Sequence, residues 1–183
     1  MTTWADPTGV VTTGEFMKAT VLQNALSNDL GMAWVCLARK LVTEPVTSNT
    51  TPQNDDDLFF TASAGELWNL RHIFRVSADG AVDVDIKIQF DAPTGAEICF
   101  AGAGLDGAGS FTINRWFSTA TTQTFNVTTT TAVVYVVNGL LYMGGTSGTF
   151  RVKWAQGNSS ATATNMMLGS CMLGAKIGAN PRL

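Results

Sequence analysis

Residues 148–156 read Gly-Thr-Phe-Arg-Val-Lys-Trp-Ala-Gln, and the interpretation of the whole chain starts from this stretch. Three large apolar residues, Phe150, Val152 and Trp154, alternate in it with two cations. A period of two places the apolar side chains on one face of a β-strand and the cations on the other. We therefore expect a β-protein in which this strand turns one face toward a core.

The sequence on both sides of this strand is also typical of β-structure. A Gly-Asn-Ser-Ser turn at 157–160 predicts a return strand through 166–177 that pairs with the first strand. Upstream, Val84, Ile86, Ile88 and Phe90 alternate with polar residues, and Asn138-Gly139 predicts a two-residue hairpin turn. Short strands at about ten-residue spacing favour a jelly-roll-like antiparallel β-sandwich.

The N-terminal part has a different pattern. Trp4 lies in a predicted extended arm, and Thr12 with Glu15 has the spacing of a helix capping box. A leucine every four residues predicts one helix over about 13–30. We expect an attachment region at 1–40 and the sandwich at 41–183, with 34–40 open between helix and strand. The candidate attachment residues are Trp4, Phe16, Leu22, Leu26 and Leu30.

Composition narrows the choice of partners. Only 14% of the 183 residues are charged, against about a quarter in ordinary domains. Such a chain is expected to cover part of its surface by forming a homo-oligomer, although a monomer with a neutral threonine-rich surface stays open. The net charge of −3 argues against nucleic acid. We find no membrane-spanning apolar run and no signal-peptide pattern, so membrane insertion is not expected.

Few residues suggest chemistry. Asp55, Asp56 and Asp57 could bind a hard cation, but we expect a solvated acidic loop. Asp83 and Asp85 are predicted to share a strand face, and with Asp91 they form a second candidate metal or partner patch. A solvent-exposed strand face without a binding role is the simpler interpretation of these three acidic residues.

The histidine and cysteine content does not indicate a catalytic site. His72 is the only histidine, and we expect it to be partly buried and hydrogen-bonded rather than a catalytic base. Cys36, Cys99 and Cys171 are far apart in sequence and are interpreted as small hydrophobic residues in or near the core. We expect no cofactor, no structural zinc site and no enzymatic activity.

A series of short motifs runs through the chain in order. They are Trp4, Gly9–Thr12, Leu22–Asn24, Asn28–Leu30, Asp57–Leu58, Glu66–Trp68, Asp85–Lys87, Ala92–Ala96, Gly144–Thr149, Trp154–Gln156 and Gly169–Leu173. This series resembles a group of small virion proteins of tailed bacteriophages, and it spans nearly the whole chain. The chain departs from that group where 32–36 continues the predicted helix without an early proline.

The resemblance implies a virion component that is assembled in the host cytoplasm. A surface protein of the tail or its fibres, with a host glycan or protein as a further partner, is the first interpretation. A trimeric capsid decoration protein is the alternative. A glycan hydrolase is a third, for which no pair of facing carboxylates can be named. The resemblance also favours a homotrimer that contacts other virion proteins.

The arm generates the first testable prediction. Trp4→Ala should weaken incorporation into particles, as deletion of 1–12 should, because burial of a large aromatic side chain contributes about 2–3 kcal/mol. Occupancy in purified particles measures this, with circular dichroism as the control that the sandwich stays folded. Wild-type occupancy of the truncated protein would show that the arm is not the anchor.

Overall fold

The structure is a computed structural model that describes residues 5–6, 9–10, 34–79, 84–128 and 130–182. The chain divides into two compact units, Met1–Trp34 and Val35–Leu183. In the first unit, Ala5–Asp6 (β1) and Gly9–Val10 (β2) form a short antiparallel pair.

The described residues of the second unit form strands joined by turns and loops. The strands are β3 (Val35–Arg39), β4 (Glu44–Val46), β5 (Gln53–Ala62), β6 (Glu66–Ala78), β7 (Ile86–Asp91), β8 (Glu97–Leu105), β9 (Phe111–Trp116), β10 (Thr122–Phe125), β11 (Val133–Tyr142), β12 (Gly148–Gln156), β13 (Thr164–Met166) and β14 (Cys171–Ala179).

The predicted fold class, a sandwich with one helix, is therefore wrong. A β-sandwich fits, but the part of the chain that the structure describes is all-β and contains no helix. Residues 13–30, where the helix was predicted, lie outside the described residues. Residues 35–39, which were open between helix and strand, form β3 because their backbone pairs with β14. No described helix could span a membrane.

Two antiparallel sheets make up the second unit. The smaller sheet has the strand order β10-β7-β12-β5, and the main path of the larger sheet has the order β3-β14-β6-β11-β8-β9. Strand β13 pairs with β4 and β6. The eight strands from β5 to β12 are thus arranged as β5-β12-β7-β10 and β6-β11-β8-β9. This is the order of a jelly roll, in which two Greek keys interleave.

The predicted pairing of the last two long strands is wrong. Strand β12 lies between β5 and β7 in the smaller sheet, whereas β14 lies between β3 and β6 in the larger sheet. Both neighbours of β12 come from much earlier in the chain. The turn after β12 therefore leads to the other sheet instead of closing a hairpin.

The core between the sheets is built around aromatic rings. The ring of Phe90 in β7 lies 4.8 Å from that of Phe100 in β8, 5.5 Å from that of Trp116 in β9 and 5.8 Å from that of Phe150 in β12, centroid to centroid. Such pairs contribute about 0.5–1.5 kcal/mol each beyond simple burial. The predicted core is confirmed, with Val84, Ile86, Ile88, Phe90, Val152 and Trp154 all at most 1% exposed.

Asn138-Gly139 is not a hairpin turn. Both residues lie inside β11, where Gly139 is directly opposite Phe100 of β8. A Cβ on Gly139 would approach the carbonyl oxygen of Cys99 to 2.1 Å and a ring carbon of Phe100 to 2.5 Å. The glycine therefore serves close packing against an aromatic residue, a role that a local turn signal does not distinguish from a real turn.

His72 lies within the aromatic core and not at its margin. Its side chain is fully buried, and neither ring nitrogen has a hydrogen-bond partner among the described residues. Four aromatic rings surround it, those of Phe74, Phe90, Phe100 and Phe150. The prediction of a partly buried, hydrogen-bonded histidine is wrong. Burial lowers the pKa of His72 from 6.5 to about 3, so the ring is neutral in the folded protein.

This histidine should make the protein sensitive to acid. Above pH 6.5 it is neutral in both the folded and unfolded states. Below that pH the unfolded chain binds a proton that the folded chain excludes until about pH 3, so stability falls as the pH falls. At about pH 4.5 the loss should be roughly 3 kcal/mol.

Denaturant unfolding of wild type and His72→Leu between pH 7 and pH 4.5 measures this loss. The variant should lose markedly less stability over that range. Arg71→Gln, an exposed neighbour on the same strand, is the control and should keep the wild-type pH dependence. Equal pH dependence of wild type and His72→Leu would contradict the assignment.

Candidate assembly surface and buried ion cluster

Strand β9 is an edge strand of the larger sheet, and its solvent-facing side chains are those of Phe111, Ile113 and the cation Arg115. Its last residue, Trp116, is fully buried, and its inward and outward side chains alternate. Phe111 and Ile113 point outward and are 63% and 61% exposed. The two-residue period that places Trp116 in the core sends these two side chains away from it.

The neighbouring strands extend this apolar surface. Leu105 of β8, the cross-strand partner of Phe111, is 55% exposed, and Val134 of β11 is 44% exposed. Phe117, directly after β9, is 67% exposed. We call Leu105, Phe111, Ile113, Phe117 and Val134 the β9 face.

A row of apolar residues leads inward from the β9 face across the sheet. Ile113 is opposite Ala103 of β8, which is opposite Val136 of β11, which in turn is opposite Ile73 of β6. The last three are half-buried. The outer surface of an antiparallel sheet is usually polar, so an apolar row of this length indicates a surface that another molecule covers.

The backbone edge of β9 is less available for contact with a partner than the side chains of the β9 face are. The side-chain amide of Gln123 in β10 donates a hydrogen bond to the Arg115 carbonyl at 2.7 Å. In the other direction, Asn114 of β9 donates to the Thr124 carbonyl at 2.7 Å. Side chains therefore occupy part of the edge, which disfavours strand addition by a partner. The apolar side chains of the face are what β9 offers for contact.

A second notable feature is a buried lysine, Lys40, which directly follows β3. Its side chain is 1% exposed, and its ammonium nitrogen contacts three carboxylates. The distances are 2.5 Å to Glu44 Oε2, 2.9 Å to Asp55 Oδ2 and 3.6 Å to Asp57 Oδ2. A buried ammonium is tolerated only with partners of this kind. Lys40 was not predicted as a site residue from the sequence, where the available signals are a cation at the end of an apolar run and Glu44 four residues later.

Asp55 is fully enclosed in this cluster. Its Oδ1 accepts hydrogen bonds from the backbone N–H groups of Asp57 at 2.9 Å and Leu58 at 2.7 Å. Its Oδ2 accepts the indole N–H of Trp154 at 3.0 Å as well as the Lys40 ammonium. All hydrogen-bonding capacity of this carboxylate is directed at groups within the protein, which holds the side chain in one position.

The predicted solvated acidic loop is therefore wrong. Asp55, Asp56 and Asp57 lie in β5, where alternation buries Asp55 and exposes Asp56. The cation that Asp55 and Asp57 meet is the ammonium of Lys40. No group of three or more His, Cys, Asp or Glu arranged to hold a metal ion occurs among the described residues.

The charges of this cluster modify one another. Burial by itself would lower the pKa of Lys40, but the hydrogen bonds to Glu44 and Asp55 outweigh it and raise the pKa. Burial also raises the pKa of Glu44, despite the opposing hydrogen bond to Lys40. The lysine is therefore charged at rest, and Glu44 binds a proton more readily than an exposed glutamate does.

The remaining predicted site residues are dispersed or not described. The candidate attachment residues Trp4, Phe16, Leu22, Leu26 and Leu30 lie outside the described residues, as does Asp83. Asp85 has a positive φ of 36° just before β7, and its carboxylate accepts the backbone N–H of Val127 at 3.3 Å. Asp91 is exposed at the far end of β7. Because the strand begins only at Ile86, the predicted strand face carrying Asp85 does not form.

The cysteines are not core residues. Cys36 and Cys99 are exposed, Cys171 is half-buried, and all three are free thiols. They point outward because Leu70, Phe74 and similar large residues fill the inward positions of the same sheet. Burial raises the pKa of the Cys171 thiol, which therefore stays protonated at neutral pH.

No protein-family model matches the chain, and neither does any curated protein. Among solved structures, it is similar to a structure of the infectious bursal disease virus Gt strain, with 8% identity and a TM-score of 0.17 over 100% of this chain and 48% of that chain. The crystal structure of the infectious bursal disease virus VP2 subviral particle gives 8% identity and a TM-score of 0.19 over 83% and 42%.

The chain thus spans less than half the length of these viral chains.

Proposed function

We propose that this protein is a structural subunit of a virion and that it binds copies of itself through the β9 face. The observation that carries the proposal is the apolar character of that face. Five large apolar side chains on and beside adjacent strands are between 44% and 67% exposed. Single exposed apolar residues are ordinary, whereas a contiguous group of them marks an association surface.

The composition agrees with this assignment. A chain with 14% charged residues has few charges with which to solvate a large surface. Covering the β9 face in an oligomer removes the part of that surface that water solvates least well. Because apolar contact is insensitive to salt, such an oligomer would persist across the ionic conditions that a particle meets.

The finer parts of the proposal come from the resemblance to tailed-phage virion proteins. The oligomer is a trimer, and Trp4, Phe16, Leu22, Leu26 and Leu30 contact other virion proteins. The preferred location is the tail or its fibres, where the sandwich contacts a host-surface glycan or protein. The alternative is decoration of the head. Imaging of intact particles with a labelled chain distinguishes them, because density on the head surface would select the alternative.

We further propose that the protein catalyses no reaction on an external substrate. His72 is enclosed by aromatic rings, so it cannot reach a bound molecule. Asp55 is held by Lys40 and Trp154 inside the sandwich. The groups best suited to acid–base chemistry are therefore directed inward, which disfavours the glycan hydrolase interpretation.

A charge placed in the β9 face should disrupt self-association. Ile113→Asp removes an apolar contact worth about 1.5–3 kcal/mol and adds a carboxylate that must be desolvated. The association constant should therefore fall at least about tenfold. Sedimentation or light scattering at micromolar concentration measures the change, and circular dichroism monitors folding.

Leu168→Asp is the matched control for this experiment. Leu168 is 52% exposed and lies between β13 and β14, away from the β9 face. This variant should associate like the wild type. A wild-type chain that is monomeric at these concentrations, or equal effects of the two substitutions, would rule out the β9 face as the association surface.

A further inference from the structure

Lys40, Asp55 and Glu44 form an arrangement that is capable of more chemistry than an ordinary salt bridge. The Lys40 nitrogen lies 2.9 Å from Asp55 Oδ2 and 2.5 Å from Glu44 Oε2. The side chains of Lys40 and Asp55 are 1% and 0% exposed, so bulk water does not compete for their contact. An amine is thus held in contact with two carboxyl groups, which is the set of groups that acyl transfer with a general base uses.

We propose that Lys40 and Asp55 become joined by an intramolecular isopeptide bond, and that Glu44 transfers the proton that this reaction requires. The bond would connect Nζ of Lys40 to Cγ of Asp55. It forms once per chain, as a self-modification, so it is compatible with a protein that turns over no substrate. This bond depends neither on the β9 face nor on a virion setting, so the two proposals are independent of each other.

The reaction balances without a co-reactant. One proton passes from the Lys40 ammonium to Oδ2 of Asp55, which gives a neutral amine and a neutral carboxylic acid. The amine nitrogen attacks Cγ of Asp55 while Glu44 takes a second amine proton. Glu44 returns this proton to Oδ2, the Cγ–Oδ2 bond breaks, and one water molecule leaves. The third proton stays on the amide nitrogen, and Glu44 is restored to its initial state.

The surroundings of Asp55 match the charge that this reaction develops. Oδ1 becomes negatively charged in the tetrahedral intermediate, and it already accepts two backbone N–H groups, from Asp57 at 2.9 Å and Leu58 at 2.7 Å. Donors fixed by strand backbone stabilise such an oxyanion without having to reorganise. The indole N–H of Trp154, 3.0 Å from Oδ2, positions the oxygen that leaves as water.

Glu44 is placed to act as the base in this reaction, because its Oε2 lies 2.5 Å from the Lys40 nitrogen. Glu44 is a stronger base than an exposed glutamate because burial raises its pKa. Lys40 is charged at rest, and the two carboxylates whose hydrogen bonds raise its pKa are the groups that would take its protons.

The bond would have a structural consequence. Lys40 follows β3 in the larger sheet, and Asp55 lies in β5 of the smaller sheet. A covalent link between them ties the two layers of the sandwich together at one end. It would also close the loop between the two residues in the unfolded chain and so restrict that state, as a disulfide does.

The mass of the full-length chain tests the proposal directly. Under denaturing conditions the intact protein should be lighter than its sequence mass by one water molecule. After trypsin digestion, cleavage should fail at Lys40, and fragment 40–71 should carry the same mass deficit, with tandem spectra locating the link at Lys40 and Asp55. A chain at its full sequence mass that is cleaved normally after Lys40 would overturn the proposal.

Three variants test the roles of the residues. Lys40→Arg should keep the full sequence mass, and a water loss that persists in it would identify another dehydration and refute the link. Glu44→Gln should form the bond at least about tenfold more slowly while its circular dichroism matches the wild type. Glu97→Gln is the matched control at the exposed Arg182–Glu97 pair and should react like the wild type. Wild-type bond formation in Glu44→Gln would eliminate Glu44 as the proton-transfer group.

Discussion

The layer of aromatic rings between the two sheets is the contact on which the rest of the fold depends. Phe90 is central to it, because its ring touches rings from β8, β9 and β12 and therefore links both sheets. These strands come from separate parts of the chain, and the jelly-roll order brings them together. Where a ring needs space, the opposite strand provides a glycine, as Gly139 does for Phe100. The packing of the core therefore depends on the jelly-roll order of the strands.

A polar group buried in this aromatic interior must be either neutral or paired with an opposite charge, and the protein contains one example of each. His72 stays neutral among the rings without a hydrogen-bond partner, and acid, which would charge it, adds to the cost of burying its ring nitrogens. Lys40 keeps its charge and is surrounded by carboxylates, while Asp55 in turn is held by Trp154. The first solution makes stability depend on pH. The second places reactive groups in contact where water is excluded.

The strand geometry decides which side chains reach the outer surface, but it does not decide whether they are polar or apolar. Alternation requires Phe111 and Ile113 to point outward once Trp116 points inward, yet it does not require them to be apolar. Polar residues at those positions would form the same sandwich. The apolar choice therefore has no benefit for the isolated chain, which agrees with the proposed contact between copies of the chain.

The sequence by itself determined which side chains face the core. The alternation around Ile86, Ile88, Val152 and Trp154 is a local property of an extended backbone, and it needs no knowledge of the rest of the chain. It did not determine strand pairing, so β12 and β14 were wrongly joined and Asn138-Gly139 was taken for a turn. The predicted fold class is wrong because the described part of the chain is all-β and contains no helix. The buried ion cluster depends even more on contacts between distant parts of the chain. Lys40 contacts Asp55, and Asp55 contacts Trp154, only because the tertiary structure brings together three separate segments of the chain, and nothing in the sequence indicates that these residues are partners.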